Sequence, residues 1–206
     1  MSRLLLPYRP APSPPVGLVR RESTSPLAWV GMQLEGCAVP LWGDVAAPAG
    51  TPVTPTTRLS ALLDVVPGRG VVGRLAAVWV HAGGPPPQVL VVLVPPRARH
   101  IDPHPGRVSA ETDLPACDVQ RMGPGRVTTV QRTGLDVARW CPPHEVARAL
   151  ALLVPLGFDP AAAVRSLTDC PGGRGVRRAR AALAELEETP GEVRRGSRAG
   201  PPSVPR

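Results

Sequence analysis

Leu59, Leu62, Leu63 and Val66 recur at i, i+3, i+4 and i+7, the spacing of one helix face, and Pro67-Gly68 ends the run. Val72, Leu75, Ala76 and Trp79 repeat it and predict a second helix from Gly70 to His81, closed by Gly83-Gly84-Pro85-Pro86-Pro87. The pattern then changes. Gln88–Val94 reads QVLVVLV, short, β-branched and apolar throughout, as a strand buried on both faces does. Weaker strands are predicted at Arg107–Thr112, Val119–Met122 and Arg126–Thr128, which gives a small sheet with the two preceding helices packed against it.

Downstream the period is helical. Thr129 suits a cap, because its hydroxyl can accept from a first-turn N–H, for a helix running to about Trp140. Pro143 suits the first turn of the next, with Val146, Ala149, Leu150 and Leu153 as its stripe. Asp159-Pro160 opens a third, to about Thr168, ended by Cys170-Pro171-Gly172-Gly173. A fourth runs from Gly175 to about Glu188, with Val176, Ala179, Leu183 and Leu186 inward. Residues 1–38 show no sustained period and are predicted irregular, apart from one short strand near Leu27–Met32. The fold class is α/β in the α+β sense: a small β-sheet packed with two helices, a helical C-terminal region and irregular termini. Residues 39–189 form the folded unit, and 190–206 a disordered basic tail.

Composition modifies this picture in three ways. The 29 prolines and 21 glycines approach the range of disordered chains, but a hydrophobic fraction of 43% supplies a core. Lysine and asparagine are absent, and Ile101, Phe158 and Tyr8 are the single residues of their kinds, as a very G+C-rich genome would produce. Part of the arginine content therefore reflects codon usage. The net charge of +8 favours attraction to nucleic acid or an anionic surface and says little about fold. Half of it falls in residues 174–206, where eight arginines face four glutamates. The four cysteines are scattered, and the Leu4–Leu6 run is too short for a signal-peptide core. A cytoplasmic protein with reduced thiols and no membrane segment is expected.

The central series AAVWVHAG (76–83), VLVVLVPP (89–96), GRVTTVQRTGLDVAR (125–139) and GGRGVRRARAAL (172–183) resembles the AbiEi-like antitoxin family of type IV toxin–antitoxin and abortive-infection systems, in its high-G+C bacterial form. That family's segment "VTs..RT..DLAR" is matched by Val127, Thr128, Arg132, Thr133, Asp136, Ala138 and Arg139. The resemblance covers roughly residues 40–189 and implies a non-enzymatic antitoxin-like or regulator-like protein that contacts DNA or a cognate toxin. Family members usually begin with a winged helix-turn-helix; here only the end of a wing is expected, around Val39–Val45. Many continue into an endonuclease-like domain, of which Glu192 would be a lone remnant, so cleavage is not expected. The alternative is a truncated, inactive relative of the nuclease-fused form.

Five local features compete with bland readings. Cys141-x-x-His144 has a zinc-like spacing, but a structural zinc wants four ligands, and Cys117 and Cys170 have none close in sequence. Cys37 and the other thiols lack the helix-start context, beside a base, that activates a nucleophile. Asp113 and Asp118 flank a proline turn and are read as solvating it. Arg132 and Asp136 stand at i, i+4, where an exposed pair would contribute only about 0.3–0.5 kcal/mol, so a structural role is favoured. The strongest feature is Gly172-Gly173-Arg174-Gly175 opening a helix that carries Arg177, Arg178 and Arg180. Helix starts bind phosphate, yet these arginines oppose the helix dipole and have no glutamate three or four residues on. Nucleic acid or an acidic partner is their functional reading, and a solvated basic face is the bland reading and the favoured one. A lysine-dependent phosphate loop is excluded, and no metal or cofactor is expected.

Overall fold

The computed structural model describes residues 17–96, 103–168 and 173–188. Leu4–Leu6, Tyr8, Ile101, Cys170, Gly172, Glu192 and the tail from 190 lie outside the described residues.

Strand β1 (Val19–Arg20) leads to helix α1 (Pro26–Leu34), then β2 (Ala38–Trp42) and β3 (Val45–Pro48). The three strands form an antiparallel sheet in the order β1-β3-β2. Residues 26–34 are therefore helical, which corrects both the irregular reading and the short strand expected near Leu27–Met32. The cap signal was present: the Ser25 hydroxyl accepts from the Ala28 N–H, and Pro26 occupies the first turn. Only Trp29 of this helix is buried, while Leu27, Val30 and Leu34 are exposed, so no apolar stripe alternates with polar residues.

Helix α2 (Pro55–Leu62), β4 (Val71–Val72), α3 (Arg74–Ala82), β5 (Leu90–Val94), β6 (Arg107–Glu111), β7 (Val119–Met122) and β8 (Gly125–Thr128) follow. Their five strands are ordered β6-β5-β4-β8-β7, with β5–β6 and β4–β8 parallel. The helix expected from Gly70 splits. Val71 and Val72 enter the middle of the sheet opposite Leu93 and Val92, and Val72 also pairs with Val127. Two β-branched residues between glycines satisfy the ladder better than a helix start would.

Helices α4 (Val130–Trp140), α5 (Pro143–Leu153), α6 (Pro160–Thr168) and α7 (Val176–Glu188) lie where their periodicity places them. Helix α3 serves two cores. Ala76, Trp79 and Val80 pack with Leu59, Leu62, Leu90, Val92 and Val127 of the sheet side. Val78 joins Val137, Leu150, Leu153, Phe158, Leu167 and Leu183 of the helical side. An element apolar on most of its circumference is what a shared central helix requires.

Gly134, in the interior of α4, lets Phe158 pack against the helix backbone: a Cβ there would lie 2.2 Å from Phe158 Cε2. Helix propensity alone would make Gly134→Ala stabilising by about 1 kcal/mol. Forcing the ring aside in a filled core costs about 1–3 kcal/mol. Packing decides the sign, and a lower urea midpoint is expected; a midpoint at or above the parent's would show that Phe158 yields freely.

Candidate functional site

Thr128, Arg132, Thr133 and Asp136 come together where β8 runs into α4. Thr129 caps α4, its hydroxyl accepting from the Arg132 N–H at 3.3 Å. Thr128 and Thr133 are fully buried and share a hydrogen bond of 2.6 Å between hydroxyls. The Thr128 carbonyl accepts from His81 Nε2 at 2.7 Å, which places the ring proton on Nε2. Burial holds the His81 imidazole below its ordinary range; the Thr128 carbonyl works against that shift and Arg58 with it.

Arg132 is the hub. Its Nε donates to Asp136 Oδ2 at 3.0 Å, Nη1 to Asp118 Oδ2 at 2.8 Å and Nη2 to Thr112 Oγ1 at 3.4 Å. The Arg132 side chain is 13% exposed and that of Asp136 3%, so this is no exposed surface pair. Asp118 is likewise not a solvating turn residue: it is the second acid of the knot, and its carbonyl accepts from Thr129 N–H. Burial pushes the Asp136 carboxyl up, against the pull of Arg132, Arg74 and Arg139. Burial also opposes the Arg132 charge, but Asp136 and Asp118 together outweigh it and raise the guanidinium pKa.

Arg139 fixes the other end of α4. Its Nε and Nη2 donate to the Arg174 carbonyl at 3.3 and 3.0 Å, just before α7 starts. Gly175 is required there, since its φ is +79° and a Cβ would meet the Arg139 carbonyl oxygen at 2.6 Å. The guanidinium carbons of Arg139, Arg74 and Arg174 stand 5.2, 5.5 and 5.9 Å from the centroid of the Trp140 ring. The four arginines singled out on α7 separate into two kinds. Arg178 donates to the Cys141 carbonyl and Arg180 to the Leu167 carbonyl at 3.2 Å, each closing the end of a neighbouring helix. Arg174 and Arg177 remain exposed.

Between the start of α3 and the end of α4 lies a cavity of about 220 Å³, walled by Arg74, Asp136, Trp140, Arg174, Thr112 and Glu111. Arg74 is the one non-glycine described residue with positive φ, at 53°. Its Nε and Asp136 Oδ1 are both buried without a hydrogen-bond partner. A larger cleft, about 880 Å³ beside β2 and β3, contrasts with this. There Arg20 is paired with Asp64, and Trp42 Nε1 donates to the Pro87 carbonyl, so these groups are already satisfied. The smaller cavity holds the unsatisfied chemistry.

The sequence did not mark Arg74, His81 or Trp140 as site residues, because their roles depend on tertiary neighbours. The Cys141 thiol is buried and pushed up to about 11, mainly by burial, which leaves it protonated at neutral pH. Among the described residues no group of three or more His, Cys, Asp and Glu lies close enough to hold a metal ion. No single described helix is long and apolar enough to cross a membrane.

Removing one partner from a buried pair leaves uncompensated charge, so Arg132→Met is expected to destabilise by about 3–5 kcal/mol. Adding Asp136→Leu should recover part of that loss, measured by chemical denaturation; a single variant as stable as the parent would refute the hub. His81 gives a pH test. Its folded pKa is depressed, so the unfolded chain takes up the proton first as pH falls. Stability present above about pH 6.5 is lost from there down to the folded pKa. Thermal midpoints from pH 8 to 5 should fall more steeply for the parent than for His81→Gln, and parallel curves would disprove the assignment. Compared with known proteins, the chain matches no family model and no curated protein.

Proposed function

We propose that this chain is a non-enzymatic, antitoxin-like or transcription-regulator-like protein, cytoplasmic in location, that acts by contacting DNA or a cognate toxin or regulatory partner. The observation that carries the reading is the gathering of Arg74, Arg139 and Arg174 around Trp140, none of them in an ion pair among the described residues. Like charges held this close repel, and phosphates of a partner relieve that repulsion. Exposed Arg177 extends the patch along α7. Helix α1, PLAWVGMQL, has no basic residue and offers no comparable phosphate contacts. DNA contact is therefore assigned to the junction of α4 and α7, with affinity from the backbone and little base readout.

Each phosphate neutralised contributes roughly −0.9 to the slope of log K against log salt. Arg174 and Arg177 are the pair to change, since Arg178 and Arg180 are engaged with carbonyls. The Arg174→Gln/Arg177→Gln protein should keep its circular dichroism and melting temperature, while its slope on duplex DNA becomes shallower by about 2. An unchanged slope would make the patch a solvated face.

A further inference from the structure

We propose that the cavity between α3 and α4 is a binding site for a protonated phosphate, either inorganic phosphate or a phosphate monoester. This goes beyond DNA contact: it shares Arg174 with that reading but asks for a small ligand.

Two buried atoms define what the ligand must bring. Asp136 Oδ2 is occupied by Arg132, while Oδ1 has no partner on a side chain 3% exposed, so the ligand must donate a hydrogen. Arg74 Nε is buried with its hydrogen unused, so the ligand must also accept. Leaving either atom unsatisfied carries its full desolvation penalty.

Charge narrows the choice. Of the charged side chains that line the cavity, Arg74 and Arg174 face Asp136 and Glu111; Arg132 already neutralises Asp136, so the two guanidiniums outweigh the one remaining carboxylate. Arg74 is also the first residue of α3, so the positive end of that helix dipole opens here. The fitting ligand is therefore an anion that still holds a proton. Sulfate satisfies the arginines but brings a bare oxygen against Asp136 Oδ1. A zwitterionic amino acid brings an ammonium to a carboxylate that Arg132 already neutralises. Hydrogen phosphate meets both demands, its P–OH donating to Asp136 and its other oxygens accepting from Arg74 and Arg174. The cavity, about 220 Å³, exceeds a single water's share of about 30 Å³. The left-handed backbone of Arg74 is the strain that aims its side chain here.

The test titrates the whole chain with sodium phosphate and with sodium sulfate at matched ionic strength, reading melting temperature and calorimetric heat. Phosphate should stabilise saturably and sulfate should not. Arg174→Gln, at an exposed position, should fold normally and bind phosphate about tenfold or more weakly. Asp136→Asn replaces the acceptor by an N–H and should shift preference toward sulfate, which a merely structural role would not do. If that variant does not fold, Arg174→Gln alone decides. Ribose 5-phosphate, tested at about pH 6, where a monoester keeps about half its second proton, identifies the source. Binding by it as well assigns a monoester site, and binding of inorganic phosphate alone assigns the free ion. Equal response to phosphate and sulfate, or saturable response to neither, overturns the proposal. Loss of phosphate binding with the DNA slope intact would leave the DNA reading standing.

Discussion

The fold depends on one guanidinium. Arg132 reaches from the first turn of α4 to Asp118 before β7, to Thr112 just past β6 and to Asp136 on its own helix. Those contacts tie the helical layer to both edges of the five-stranded sheet, whose order places β6 and β7 at opposite ends. A planar fork donates in several fixed directions at once, whereas a lysine ammonium on a flexible stem would not hold the three acceptors in register. The second tie, through α3, is apolar and works by shared burial rather than direction.

Arginine does much of the capping in a chain without lysine or asparagine. Arg58 donates to the Val80 and His81 carbonyls at the end of α3, Arg126 to the Gly68 carbonyl, Arg178 to Cys141 and Arg180 to Leu167. These are the orphan carbonyls of helix ends and turns, which need donors wherever water is excluded. The formal charge of +8 therefore overstates the charge available to a partner. Among the described residues Arg74 and Arg174, both near the Trp140 ring, and Arg177 on α7 are arginines that cap no carbonyl and pair with no carboxylate.

Periodicity was a good guide where one face of an element is buried, as in α2 and α4 to α7, and where a strand is buried on both, as in β5. It failed at α1, whose exposed Leu27 and Leu34 erase the stripe, and at β4, where two valines continue the spacing of the helix behind them. The site was half legible. Thr128, Arg132, Thr133, Asp136 and Arg139 lie within one continuous segment, so a motif could carry them. Arg74 could not be read in this way, because its partners are brought by the crossing of α3 over α4. The arginines of α7 were visible as a cluster, but which of them cap carbonyls was a question of tertiary distance.

Asp136 is costly if its only task is structural. A buried ion pair rarely outperforms well-packed apolar residues of similar volume, because both charges must be desolvated. Here the cost is compounded by an oxygen without a partner and by a neighbouring arginine in a left-handed backbone, strain of about 1–3 kcal/mol by itself. The Arg132–Asp118 bond and the threonine pair would hold β8 to α4 without Asp136. Leucine at 136 would remove the unsatisfied oxygen and extend the core formed by Val137 and Ala138. The polar group and the strained arginine sit together in one cavity instead of being spread across the molecule. That coincidence separates a site with a task from an accident of packing.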